Sequence, residues 1–124
     1  MNKYHFTLSI HFESDYDVNN LENIISLKPY KTTLYSESKG DTKSAKFLYK
    51  TESLSDVYTD EMFERFIKQI QPKLQLLKDI LKENNGSVFL RIVFDELSEK
   101  PCLSLNSSTI AILNDSSANF EIVF

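Results

Sequence analysis

Tyr4, Phe6, Leu8, Ile10 and Phe12 alternate with His5, Thr7, Ser9 and His11. A strict period of two marks a strand with one buried face, so the chain is expected to open on a β-strand whose polar residues look away from the core. A polar turn through Glu13, Asp15 and Asp17 follows, and Asp17 is placed to cap a short helix carrying Val18, Leu21, Ile24 and Ile25 on one side. Pro29 is expected to close that helical region, because the residue before a proline avoids the helical basin.

Residues 31–36 and 45–51 read as two short strands, separated by a turn at Ser38-Lys39-Gly40-Asp41, and residues 52–58 as a polar loop. Thr59 is expected to cap the longest helix, with Asp60 and Glu61 at its positive end. Phe63, Phe66, Ile67, Ile70, Leu74, Leu77, Ile80 and Leu81 recur at spacings of three and four, opposite Glu61, Arg65, Lys68, Lys73, Lys78 and Lys82. That is an amphipathic helix lying on a core. Pro72 falls inside it, and an interior proline costs about 3 kcal/mol and removes a hydrogen bond, so a kink near residues 68–72 or two abutting helices is expected. Asn84-Asn85-Gly86 ends the helix as a C-cap. Residues 88–94 are apolar except for Arg91 and predict a central strand. Residues 102–105 predict a short strand after Pro101, Ser107 or Ser108 caps a short helix through Ile110 and Leu113, and residues 120–124 form a last strand.

The order β-α-β-β-α-β followed by β-α-β predicts an α+β fold, a single domain over residues 1–124. Its sheet is expected to be mostly antiparallel, with a ferredoxin-like core and the helices packed on one face. Composition agrees with a folded chain: 41% of residues are apolar and 26% charged, with nine phenylalanines and six tyrosines to supply a core.

The net charge of −4 turns the argument away from nucleic acid. The cations read as spread evenly, with no basic patch, and only Arg65 and Arg91 offer the guanidinium that dominates bidentate phosphate recognition. The single Cys102 excludes a disulfide framework. No signal-peptide core opens the chain and no apolar run reaches membrane-spanning length, so a cytoplasmic location without a membrane partner is expected.

Candidate chemistry is sparse. His5 and His11 are about 20 Å apart along one strand and cannot share a metal. Glu13, Asp15 and Asp17 alternate as calcium ligands do, but lack the turn glycine and the distal bidentate Glu. Asp95, Glu96 and Glu99 form an acidic loop that would need a cleft to do acid–base work. Cys102 would need His5 or His11 as an activating base and reads better as a small buried apolar residue. With Gly40 and Gly86 the only glycines, the dinucleotide and P-loop fingerprints are ruled out. No catalytic, metal or cofactor-binding residue is expected, and no cofactor. One constellation remains. In a ferredoxin-like sheet the first and fourth strands are neighbours, which sets His5, Thr7, Ser9 and His11 beside Phe89, Arg91 and Val93. If helices cover the other face, this mixed polar and aromatic surface is open for binding.

Several patterned positions also point to a family. They are the strand over residues 6–12, the Asp17-Val18 helix ending at Leu27-Lys28-Pro29, the Lys39-Gly40-Asp41 turn with the strand over residues 47–51, the Pro72-containing helix, residues 101–105 and the terminal strand over residues 120–124. Across nearly the whole chain they resemble the bacterial domain-of-unknown-function family catalogued as forty-two seventy-nine. That family typically shows a tryptophan in the strand after the Gly-Asp turn, where this chain has Phe47. The resemblance implies no activity and no site residues.

The expected function is therefore a non-enzymatic protein-binding domain with a protein partner, such as an immunity-type inhibitor of a partner toxin, by analogy of size and charge. The alternative is a small-molecule-binding or enzymatic domain using His5, His11 and Arg91. A third reading is a module that self-associates through an exposed edge strand.

Overall fold

The computed structural model describes residues 1–41, 43–101 and 103–124. The chain forms β1 (Asn2–Phe12), a 3-10 turn (Val18–Asn20) leading into α1 (Leu21–Ile25), β2 (Lys31–Thr33), a second 3-10 turn (Tyr35–Glu37), β3 (Ala45–Lys50) and β4 (Leu54–Asp56). There follow α2 (Thr59–Glu83), β5 (Gly86–Glu96), α3 (Ser107–Asp115) and β6 (Asn119–Val123). The fold is α+β, with one open, mostly antiparallel six-stranded sheet in the order β2-β3-β1-β5-β6.

The first strand organises the sheet. Along one edge β1 pairs with β3 through residues 7–12 and with β4 through residues 2–4, and along the other it pairs with β5 over nearly its whole length. All these pairs are antiparallel, and only β6 runs parallel to its neighbour β5, reached through α3. Tyr4, Phe6, Leu8, Ile10 and Phe12 of β1 point to one side, with Phe47 of β3 and Val88, Leu90, Ile92 and Phe94 of β5. Val18, Leu21 and Ile25 near the first helix, the apolar stripe of α2 and Leu113 of α3 join the same core cluster, so the helices cover this one face.

The aromatic rings set the spacing of that layer. Phe6 meets Phe63 and Phe66 of α2 at centroid distances of 5.4 and 5.2 Å, and Phe63 also meets Phe120 of β6 at 5.1 Å. Lys73 reaches across from α2 to donate to the Ile25 carbonyl at 2.6 Å, which satisfies one open carbonyl at the end of α1.

The elements differ from the sequence reading mainly at their ends. Residues 34–36 do not extend β2. They lead into a 3-10 turn in which the Leu34 N–H donates to Glu37 Oε1 at 2.9 Å. The polar stretch 52–58 contains β4, pinned to β1 by the Tyr4 hydroxyl donating to Asp56 Oδ1 at 2.6 Å. Thr59 is the first residue of α2 rather than its cap, and Asp56 instead accepts from the Tyr58 N–H at 2.8 Å. Asn106, not Ser107 or Ser108, caps α3 by accepting from the Thr109 N–H at 2.8 Å. Ser26, at φ 55°, ends α1 before Pro29 is reached. Despite Pro72, α2 runs as one helix of 25 residues rather than two. Cys102 lies outside the described residues, and residues 103–105 form no strand.

Phe63 is fully buried at the meeting point of β1, α2 and β6, so Phe63→Ala leaves a cavity that three ring neighbours cannot all close. A loss of about 3–5 kcal/mol in urea unfolding is expected, against less than about 1 kcal/mol for Leu76→Ala, which is 60% exposed on the same helix.

Candidate functional site

The face of the sheet away from the helices carries the odd-numbered residues of β1. Thr7 stands between Lys50 of β3 and Arg91 of β5, and Ser9 between Leu48 and Phe89. His11 stands between Lys46 and Ser87, and His5 is paired with Val93. The rows continue outward: Lys31 and Thr33 of β2 lie beside Leu48 and Lys46, and Asn119, Glu121 and Val123 of β6 lie beside Phe89, Arg91 and Val93. The six candidate residues His5, Thr7, Ser9, His11, Phe89 and Arg91 are thus brought together on one surface.

Their environment differs from the expected one. His5, Thr7 and Ser9 are buried at 6%, 6% and 4% exposure rather than open to solvent. The strand that carries them has partners along both edges, and most of the side chains flanking these small residues are longer: Leu48 and Lys50 on one side, Phe89, Arg91 and Val93 on the other. The middle of the face is a shallow channel with taller walls.

The polar groups in the channel are largely paired. His5 Nδ1 lies 2.8 Å from Asp95 Oδ2, and the Ser9 hydroxyl lies 2.6 Å from His11 Nε2. The His11 ring packs on Phe89 at 4.8 Å, the Arg91 guanidinium covers the same ring at 5.1 Å, and Arg91 Nε donates to Glu121 Oε2 at 2.8 Å. Thr7 Oγ1 is buried without a partner among the described residues. The Ser9–His11 contact has the distance of a nucleophile and its base, but the hydroxyl is buried and no carboxylate orients His11 among the described residues.

A family model matches residues 2–123, a span that includes this face. The chain belongs to DUF4279, a family of domains of unknown function. No curated protein and no solved structure matches this DUF4279 chain.

Two concavities of the DUF4279 chain lie elsewhere. One of about 360 Å³ sits between the ends of α2 and α3, beside Lys78, Lys82 and Ser116, and one of about 520 Å³ sits beside Leu97, Pro101 and Phe124. Neither includes His5, Thr7, Ser9, His11 or Arg91. Among the described residues no three His, Cys, Asp or Glu side chains gather as metal ligands, and no helix is long and apolar enough to cross a membrane.

Charge corrects one part of the sequence reading. The lysines are not spread evenly in effect, because residues 28–50 hold six lysines against two carboxylates, a balance of +4. The other eight cations face sixteen carboxylates, a balance of −8. Counting charge in windows would have found this basic segment. On the open face it supplies Lys31, Lys46 and Lys50, none ion-paired among the described residues, with the Lys50 ammonium 4.9 Å from the Tyr30 ring centre.

Burial, followed by the charges of Lys46 and Arg91, holds the His11 imidazole below its ordinary value of 6.5, while Glu121 pulls weakly the other way. The unfolded chain therefore takes up a proton at His11 at a higher pH than the folded one does. The associated stability is present above pH 6.5 and is lost as pH falls through the folded value. His11→Asn should remove this dependence. Urea unfolding at neutral and mildly acidic pH should show the wild type losing more stability than the variant, and equal losses would contradict the assignment.

Proposed function

We propose that this DUF4279 chain is a non-enzymatic protein-binding domain that works in the bacterial cytoplasm as an immunity-type inhibitor of a partner toxin, and that the open sheet face is its binding surface. The observation that carries the reading is the shape of that face. Small ligands bury most of their surface in a concavity. The face instead offers five strands with only a shallow channel, and apolar Leu48, Phe89, Val93 and Val123 set among lysines and carboxylates, the mixture found at protein interfaces. The enzymatic alternative finds less support, since its Ser9, His5 and His11 are engaged with each other or with Asp95 below the rim of the face.

The test is affinity capture of the tagged chain from host lysate at moderate salt, run in parallel with Phe89→Glu, whose folding is checked by thermal melting. One stoichiometric protein held by the wild type and lost by the variant is the expected result. Co-expression that suppresses the toxicity of that protein would establish the immunity role. A partner held equally by both forms would remove the face from the reading.

A further inference from the structure

We propose that the lysine-bearing flank of the open face recognises an acidic segment of a partner protein, one that sets carboxylates over Lys46 and Lys50 with an apolar side chain between them on Leu48. The inference rests on reading the face as protein-binding, and it names the chemistry of the partner.

Once the ion pairs within the chain are counted, the charge left over on the face has one sign. Glu96 lies 3.6 Å from Lys3, Asp95 lies 2.8 Å from His5 and Glu121 lies 2.8 Å from Arg91. Each carboxylate that β5 and β6 bring to the face thus has a basic partner already. Lys31, Lys46 and Lys50 of β2 and β3 are exposed and in no ion pair among the described residues. What a partner has left to neutralise here is cationic.

A lone exposed ion pair adds little to binding, so the arrangement of the lysines matters more than their number. Lys46 and Lys50 flank Leu48 on the same side of β3, and Lys31 is the register partner of Leu48 on β2. At roughly 3.3 Å per residue, the two β3 lysines are about 13 Å apart at the backbone, and Lys31 is about 4.8 Å to the outer side of Leu48. The three charges surround an apolar centre. A segment that carries carboxylates at the two ends of this span and an apolar side chain between them takes Leu48 out of water as the charges pair, and loss of water strengthens the pairing. The Tyr30 ring centre lies 4.9 Å from the Lys50 ammonium and attracts that charge at the rim. Thr7 lies beside Lys50 in the next row, and its Oγ1 is buried with no partner among the described residues. With the flexible Lys50 stem turned aside, a carboxylate seated there supplies the acceptor that this hydroxyl lacks.

A nucleic acid fits this flank less well. Its phosphates repeat without the apolar step that Leu48 calls for, and a polyanion that runs past residues 28–50 meets a remainder of the chain with a balance of −8.

The probe is the synthetic peptide Ser-Glu-Ser-Leu-Ser-Glu-Ser, blocked at both ends, whose extended form repeats the spacing of Lys46, Leu48 and Lys50. It is titrated into the isotope-labelled chain while amide chemical shifts are followed. Saturable shifts at Thr7 and over residues 46–50, weakening as salt rises, are expected. Lys46→Glu/Lys50→Glu changes two exposed positions, and unchanged shifts in the core verify its fold. It should weaken binding about tenfold or more, because like charges now face each other, while Lys46→Arg/Lys50→Arg should retain it. Absence of saturable shifts, equal binding by the Glu variant, or equal binding of a peptide with lysine in place of both glutamates overturns the proposal. The face reading survives any of these if the partner captured from lysate is still lost on Phe89→Glu, and falls separately if that partner is held. Binding of an oligothymidylate in preference to the peptide, lost with the Glu variant, overturns the proposal and assigns the lysines to nucleic acid.

Discussion

A strand hydrogen-bonded along both edges cannot slip by one residue without turning every side chain to the wrong face. In this protein that strand is β1. Its register with β3 and β4 on one edge and β5 on the other places five large apolar residues under α2 and sends the polar residues between them to the opposite side. The helices, the aromatic layer around Phe63 and the composition of the open face all take their positions from this one strand. The paired ends strengthen it. Tyr4 bonds to Asp56 on β4, and Asn2 Oδ1 accepts from the N–H groups of Ser98 and Glu99, so the start of the chain is tied to segments 52 and 96 or more residues away.

The same constraint explains why the centre of the open face is polar and buried at once. A central strand has walls on both sides, and short side chains there lose water without any element folding over them. Burying a hydroxyl or imidazole is unfavourable unless it finds a partner. Asp95 serves His5 and His11 serves Ser9, while Thr7 Oγ1 has no partner among the described residues. Burial, followed by the charges of Lys46 and Arg91, then holds His11 below its ordinary value. A surface built this way is stiff in its middle and adjustable at its lysine-bearing rim.

Much of this was legible in the chain, for a physical reason that also marks its limit. Alternation in β1, the three-and-four spacing of α2 and the apolar run of β5 are periodic over many residues, and burial imposes such periods directly. The family resemblance rested on the same long elements. What escaped was short or set by distant partners. Leu54–Asp56 is a strand only because Asn2–Tyr4 lies beside it. Asn106 caps α3 where two serines offered equally good local chemistry. The juxtaposition of His5, Thr7, Ser9 and His11 with Phe89 and Arg91 followed once the strands on either side of β1 were placed correctly. Their burial did not follow, since it depends on how tall the neighbours across the sheet are.

Net charge hid what local charge contains. A balance of −4 is the sum of a basic segment and a more strongly acidic remainder, and the sum says little about the field a partner meets at contact distance. At physiological salt an exposed charge is felt over roughly 8 Å, less than half the width of this sheet. A partner over β3 therefore meets lysines whatever the rest of the molecule carries, and a partner over β6 meets Glu121 beside Arg91. Binding that spans both flanks selects for a surface divided in the same way and in the opposite order. This requirement is far more restrictive than an acidic or basic preference.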